Sequence, residues 1–468
     1  MAVCGFCRAA VHKDPAAVRE LGKISAVLED YSPIQVGTSG SYRARPFTVI
    51  GRIQMRYDAG IWNEWYLLFD GGGAGWLGDA SGQYTLTEAR VQPAGLPAFD
   101  ALRVAENQDL GPGLGQYTVA DKRVAASCGA EGELPTGLHA GWEARVADLR
   151  QGAAFVTLDY SDAAQPILYS GAAVTLKSLK CQLLRDDEQI RESAGRYRAR
   201  VDSLLCPSCG TAIGYLPGLA VNLVCQSCAT RLDAAAPQAE VLAAGERHGK
   251  MRFALALGAE GKIGGQDYRV LGVLKRQDDD GEEWDEYLLY STAGRFFWLI
   301  QAGEDWWRSD VMETWPEPAT PDAASVRHDK RAFKSTLDYP ARVTYAAGAF
   351  NWRVKAGDVV QVREFEHGQS GLSAESNAHE LTWSRSTPVA RDQVRAWFKL
   401  PGRQGAAAKV PTPAQSALTD LQVRLFFWML GINVVPLVLN FGDTALWLFV
   451  GFIALSIPVG VTKERPAT

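Results

Sequence analysis

Basic surplus is missing from this 468-residue chain, which carries 48 Lys and Arg against 53 Asp and Glu for a net charge of −5. That balance argues against a dominant phosphate-backbone partner, so no nucleic acid is expected. Histidine is scarce, with six in all and no H-E-x-x-H pair, which removes the zinc-peptidase pattern. Gly111-Pro-Gly-Leu-Gly115 lacks the Lys-Ser/Thr of a phosphate loop, and Gly37-Thr-Ser-Gly40 is not the G-x-S-x-G of a nucleophile elbow. No nucleophile–base constellation stands out, so no enzyme activity is expected. The N-terminal stretch MAVCGFCRAAVHKDP has no apolar run of signal-peptide length. Eight Cys are too few for a disulfide scaffold in a chain this long, and six of them sit in C-x-x-C pairs. That usage points to metal ligation in a reducing compartment.

What is present is a duplication. Gly37 and Gly40 match Gly258 and Gly261, and Phe47-Thr-Val-Ile-Gly51 matches Tyr268-Arg-Val-Leu-Gly272, all at an offset of 221. One inserted residue later, Trp62, Glu64 and Trp76 match Trp284, Glu286 and Trp298 at 222. A shared spacing across unlike residue types marks a tandem repeat. Short β-rich runs broken by Gly, Asp and Pro fill both copies, so the fold class is mainly β, with tandem Trp-rich small sandwiches or barrels.

The expected organisation follows. Residues 1–30 hold a partial zinc-ribbon knuckle and a short helix, 31–180 the first β repeat, and 181–200 a connecting helix. A zinc ribbon occupies 201–234, the second β repeat 235–400, a linker 401–417, and a transmembrane hairpin 418–468. The hairpin rests on Leu425–Phe441 and Ala445–Val461, two apolar stretches separated by a turn holding Asp443, the only charge between them. Each stretch is about 25 Å long as a helix, and flanking residues make up the remainder of a hydrocarbon core of about 30 Å. Arg424 on one side and Lys463 with Arg465 on the other place both ends in the cytoplasm at the inner membrane. Asn433 and Asn440 in the first span can bond a partner helix, so the hairpin offers a route to homo-oligomers.

Cys206-Pro-Ser-Cys209 and Cys225-Gln-Ser-Cys228 give C-x2-C-x15-C-x2-C, the spacing of a zinc ribbon, with structural Zn²⁺ as the expected cofactor. Four protein thiolates leave no open coordination position for catalysis. Cys4 and Cys7 correspond by offset to Cys225 and Cys228, and the matching first knuckle would fall before Met1. Three readings stay open: a start further upstream, a degenerate metal-free site, or ligands from His12, Cys128, Cys181 or another chain.

Trp62 and Glu64, like Trp284 and Glu286, are two apart and share a strand face. One reading makes each pair a ligand pocket with an aromatic wall and one carboxylate, suited to a cation. The other makes the Trp residues core, packing Trp62 on Trp76 and Trp284 on Trp298, while the Glu caps a turn or meets an Arg. The acidic run Asp278-Asp-Asp-Gly-Glu-Glu283 lacks alternate-residue calcium spacing, and Gly281 marks it as a hairpin tip.

The pattern G-x-x-G, then Y/F-x-V-x-G, then W-x-E-W/Y with a following W-L resembles the bacterial domain of unknown function 4178 family. The segments that carry the likeness are Phe47–Gly51 with Trp62–Phe69, Tyr268–Gly272 with Trp284–Tyr290, and Val343-Thr-Tyr to Trp352 ending near Leu381-Thr-Trp-Ser384. The resemblance implies a non-enzymatic accessory role, often beside polyamine-synthesis-like enzymes and membrane-stress proteins. The combined expectation is a membrane-anchored cytoplasmic scaffold that recruits protein partners to the inner membrane face. The alternative is a sensor of small cationic ligands that uses the Trp-Glu pockets.

Overall fold

Alternating apolar and polar residues, dense in Val, Ile, Tyr and Trp, make strands because each second side chain can be buried while the backbone pairs on both edges. In the computed structural model the described residues are 2–3, 9–14, 17–23 and 32–400, except 58–59, 81, 92–94, 136–141, 162–165, 187–201, 216–221, 234–239, 244–251 and 292–295. The apolar stretches expected as a hairpin, the linker before them and most of the connecting segment 181–200 lie outside those residues. Among the described residues no helix is long and apolar enough to cross a membrane.

Three short strands come first: β1 (Ala2–Val3), β2 (Ala9–Asp14) and β3 (Ala17–Lys23). β4 (Ser39–Tyr42), β5 (Arg45–Tyr57), β6 (Gly60–Phe69), β7 (Ala74–Ala80) and β8 (Gln83–Ala89) form an antiparallel meander. A second meander follows with β9 (Asn107–Asp109), β10 (Gln116–Glu133), β11 (Glu143–Gln151), β12 (Ala154–Asp159) and β13 (Ile167–Val174). β13 pairs with β8 and β10 pairs with β5, so eight strands close into a ring. Closure depends on the length of β10, whose residues 118–126 pair with β11 while 127–132 pair with β5.

The second copy repeats this plan. The ribbon strands are β14 (Asp202–Leu205), β15 (Ala212–Tyr215), β16 (Asn222–Val224) and β17 (Arg231–Asp233), with β18 (Glu240–Ala243) beyond them. β19 (Glu260–Ile263), β20 (Gln266–Gln277), β21 (Glu283–Ser291), β22 (Phe296–Ala302) and β23 (Asp305–Val311) form its first meander. β24 (Ser325–His328), β25 (Arg331–Phe350), β26 (Val359–His367), β27 (Ser370–Ser376) and β28 (Leu381–Val389) form its second. The 20-residue β25 closes this ring as β10 closes the first, pairing with β26 over 334–342 and with β20 over 342–348. The chain is thus mainly β, built on two eight-stranded barrels in tandem.

Glycine is required where the rings close. Gly348 has φ +103°, and a Cβ there would stand 2.2 Å from the Leu271 carbonyl oxygen. Gly132 in the first barrel has φ +73° and would meet the Ile50 oxygen at 2.3 Å. The repeated glycines Gly51 and Gly272 lie directly across from these two, at Gly51↔Gly132 and Gly272↔Gly348. The closing strands therefore approach too closely for any side chain.

The helix α1 (Arg391–Phe398) seals one end of the second barrel, burying Val394 and Phe398 one turn apart. Its Phe398 ring occupies the space above Gly261, which accounts for that repeated glycine, and Lys399 at φ 51° ends it in the left-handed conformation. In the first barrel the space over Gly40 is filled by the Phe47 ring and the Leu179 carbonyl.

Two local expectations are corrected. Residues 9–23, read as part of a short helix, contain the β2–β3 hairpin, because β1 and β2 extend the sheet beyond β10 and offer ladder bonds that a helix would forgo. The Trp–Trp stacks are also replaced. Trp62 packs edge-on against Tyr57 and Trp76 tilts over Tyr66, while Trp284 meets Tyr339 and Trp298 meets Trp352. Tyr66 and Trp76 are directly paired across β6 and β7, whereas Tyr339 lies on a strand not adjacent to β21 and Trp352 lies beyond the end of β25, contacts that periodicity along one strand cannot reveal. The acidic run after β20 does form a hairpin tip, with Gly281 at φ +89° and the Glu282 N–H donating to Asp278 Oδ1 at 2.8 Å.

The barrels contact one another through β10 and β28. Asp121 bridges to Glu380, and the Lys122 N–H donates to the His379 oxygen at 3.0 Å. The Trp315 N–H donates to the Gly152 oxygen at 2.9 Å, and the Arg150 guanidinium lies 5.1 Å from the Trp315 ring centroid. Ala120 from the first copy joins Met312 and Trp315 from the second in one apolar cluster. Residues 1–400 accordingly form one unit.

Candidate metal centre and the buried Trp-Glu pairs

Each C-x-x-C pair sits on the tight turn of a two-stranded hairpin, β14–β15 or β16–β17. The turns share one design. The Cys206 N–H donates to the Thr211 oxygen and the Gly210 N–H to the Cys206 oxygen, as Cys225 does with Thr230 and Ala229 with Cys225. The fourth residue after each leading Cys has positive φ, Gly210 at 75° and Ala229 at 53°. This curls the backbone so that both sulfurs of a pair face inward.

The four sulfurs lie within 4.8 Å of one another, with Cys206–Cys228 at 3.7 Å and Cys209–Cys225 at 3.6 Å. A tetrahedral ion with thiolates at about 2.3 Å needs sulfur–sulfur separations of about 3.8 Å, whereas a disulfide needs about 2.05 Å. The set fits a metal site, and all four cysteines are free of disulfides. Cys206, Cys225 and Cys228 are buried. Hydrogen bonding from the Thr211 hydroxyl and its backbone pulls the Cys209 thiol down to about 6, while burial pushes Cys225 up to about 12. The centre is welded to the second barrel, since β16 pairs with β25 at Asn222↔Phe350, Leu223↔Ala349 and Val224↔Gly348. Leu223 and Ala349 share an apolar cluster with three of the cysteines.

Cys4 and Cys7 lie outside the described residues. The strands on either side of them are described: β1 pairs Val3 with Gly132, the counterpart of Val224 with Gly348, and then with β2. The backbone frame of a second knuckle therefore recurs in the first copy. Of the other candidate ligands, Cys181 packs on the first barrel's core, and burial pushes its thiol up to about 11.

The Trp-Glu pairs are as close in space as in sequence. The Trp62 indole N–H donates to Glu64 Oε1 at 2.8 Å, and Trp284 donates to Glu286 at the same distance. Their surroundings differ. Glu286 is 5% exposed and stands 3.3 Å from the guanidinium of Arg276, whose Nη1 donates to Glu375 at 2.9 Å. Burial pushes the Glu286 carboxyl up, and Arg276 opposes it. Glu64 is only partly buried, and burial pushes its carboxyl up to about 8, with the Trp62 N–H opposing and Asp148 and Asp159 adding repulsion. Asp148, bonded by Thr157 at 2.7 Å, is itself pushed up to about 6 by burial and by Asp121.

Arg276 and Glu375 were missed in the sequence. The signal was available: at the offset of 221 Arg276 falls on Met55, an apolar residue replaced by a cation inside an otherwise matched strand.

Residues 35–175 and 256–391 each match the family described as "Domain of unknown function (DUF4178)", together more than half of the 468 residues. The chain is a two-copy member of that family. Each DUF4178 match coincides with one barrel, and the four-cysteine centre lies between them, against the second. Among curated proteins no relative of this DUF4178 chain is found.

The raised Glu64 carboxyl has a stability consequence. Its folded value lies above the ordinary carboxylate value, so the folded chain holds an extra proton between about pH 4.5 and 8. Stability is therefore expected to fall as pH rises through that window. E64Q should remove this slope and stabilise the first barrel at pH 8.5 by on the order of 2 kcal/mol, allowing for partial exposure. Urea melts at pH 5 and 8.5 provide the measurement, and equal slopes in both proteins would contradict the assignment.

Proposed function

We propose that this protein is a membrane-tethered cytoplasmic adaptor, braced by structural zinc, that recruits protein partners to the inner membrane face. The supporting observation is the four-thiolate centre joined to the second barrel by strand pairing. Thiolates fill every position of a tetrahedral ion, so zinc there supplies folding energy and rigidity rather than a reactive site. The β16–β25 pairing makes the second ribbon hairpin an extension of a barrel sheet, and the metal would hold the separate β14–β15 hairpin to it. The apolar stretches between Leu425 and Val461, reached through an Ala-, Gly- and Pro-rich linker, supply the tether. A β unit joined to a membrane by an Ala-, Gly- and Pro-rich segment suits recruitment, since tethering raises the local concentration of whatever it binds.

The test is affinity purification of the tagged full-length protein from native membranes in mild detergent, beside a version ending at Gln415. The same partners should accompany both, and only the shorter form should be recovered without detergent. Absence of a specific protein partner from both would end the adaptor reading. Recovery of both forms in the soluble fraction would end the tether.

A further inference from the structure

The two barrels offer an internal comparison at one position. In the second, Arg276 on β20 lies directly across from Trp284 on β21, and its guanidinium is held between Glu286 and Glu375. In the first, the same cross-strand position opposite Trp62 is Met55, which is 2% exposed. The rest of the arrangement persists. Glu64 takes the place of Glu286, facing Ile53 as Glu286 faces Leu274. Asp159 takes the place of Glu375, facing Val146 as Glu375 faces Val362. The indole-to-carboxylate hydrogen bond is identical in length. The first barrel therefore keeps both carboxylates, with Asp159 also bonded by the Ser161 N–H and hydroxyl, and carries Met55 in place of the arginine.

Among the described residues Arg123 is the cation that attracts Glu64, and it makes no hydrogen bond to it. Arg123 is committed to Asp121 through two nitrogens and lies over the Tyr57 and Trp62 rings, at 4.3 and 5.2 Å from their centroids. Its attraction to Glu64 is opposed by burial and by repulsion from Asp148 and Asp159. Among the described residues Glu64 accepts only the Trp62 hydrogen bond. It also retains partial solvent access where Glu286 has almost none.

We propose that Glu64 in the first barrel binds the guanidinium group of a small organic cation, in the position that Arg276 fills within the second barrel. A planar guanidinium donates two parallel hydrogen bonds to a carboxylate and stacks on aromatic faces, so Glu64 beside Trp62 suits it better than a compact ammonium. The second barrel's site is filled by its own side chain, which leaves one external site per chain. This inference is independent of the adaptor reading, which concerns protein partners.

The test titrates methylguanidinium into the full chain at pH 8.5 and constant ionic strength, read by calorimetry and tryptophan fluorescence, with potassium as the non-specific cation. Saturable binding of one equivalent is expected, with a dissociation constant of about 1 mM or tighter. E64Q should weaken it at least tenfold, because the charge-assisted bond is lost. Met55→Arg should also abolish it by filling the site from within, and Met55→Leu should retain it. Cooperative thermal unfolding of E64Q, at or above the wild-type midpoint, serves as the fold control, so failure of the arginine variant to fold would leave the test intact. Potassium-like, non-saturable behaviour of the wild-type chain, or wild-type binding by E64Q, would overturn the proposal.

Discussion

Replacing Cys225 with serine should empty the four-cysteine centre and release the two ribbon hairpins, while leaving the first barrel folded. Cys225 is 1% exposed, directly follows β16 and its pairing with β25, and sits 3.6 Å from the Cys209 sulfur. Structural zinc contributes about 10–16 kcal/mol of apparent binding free energy in isolated zinc-finger peptides, and hairpins with strands of three or four residues have little core of their own to replace it. Metal content should drop by one ion per chain. Backbone hydrogen exchange at β14–β17 should accelerate by several orders of magnitude, with a smaller rise at the β16-facing end of β25. Retention of stoichiometric metal by the Cys225→Ser chain would show that these four thiolates do not build the centre. Full protection of β14–β17 after metal removal would show that strand pairing alone holds the ribbon.

Arg276→Met, which copies the first barrel into the second, should cost about 3–5 kcal/mol at neutral pH, the usual penalty for breaking a buried ion pair by deleting one partner. Arg276 is buried, and its removal leaves Glu286 buried with only the Trp284 N–H to offset its charge and Glu375 nearby as a like charge. The linkage has a definite sign. Glu286 is already pushed above the ordinary carboxylate value by burial, and loss of Arg276 raises it further. The folded state then holds a proton that the unfolded chain releases, so the variant should lose stability as pH rises above about 5 and regain much of it below. Denaturant melts across pH 5–8.5 measure the effect. A loss under about 1 kcal/mol at pH 8 would mean that the pair breaks even with its desolvation cost. The double variant Arg276→Met with Glu286→Gln should recover part of the loss, since it removes the uncompensated charge.

The repeat, the cysteine spacing and the shared face of Trp62 with Glu64 were legible because each is a short-range property. Period-two alternation fixes which side chains share a strand face, and two residues between cysteines fix a knuckle. The Trp-to-Glu hydrogen bond follows from the same short-range geometry. Strand partners are a different matter. The β2–β3 hairpin forms where a local reading placed a helix, because the edge beyond β10 supplied pairing that no nearby residue announces. The ring partner of Trp298 is likewise Trp352, beyond the end of β25 and far away along the chain.

By itself the sequence determined that this is a duplicated, β-rich DUF4178 chain with one complete four-cysteine set and a long apolar stretch near its end. Only the tertiary structure decided that each repeat closes into an eight-stranded ring, that the ribbon joins the second barrel, and that the two Trp-Glu pairs have different fates. The Arg276–Glu375 contact spans 99 residues of chain, and β10 and β25 each change partners partway along their length. Such pairings are selected by the collective burial of two meanders and by close approach at Gly132 and Gly348. One carboxylate was thereby given an internal cation, and its twin was left facing Ile53 with Met55 at the arginine's position.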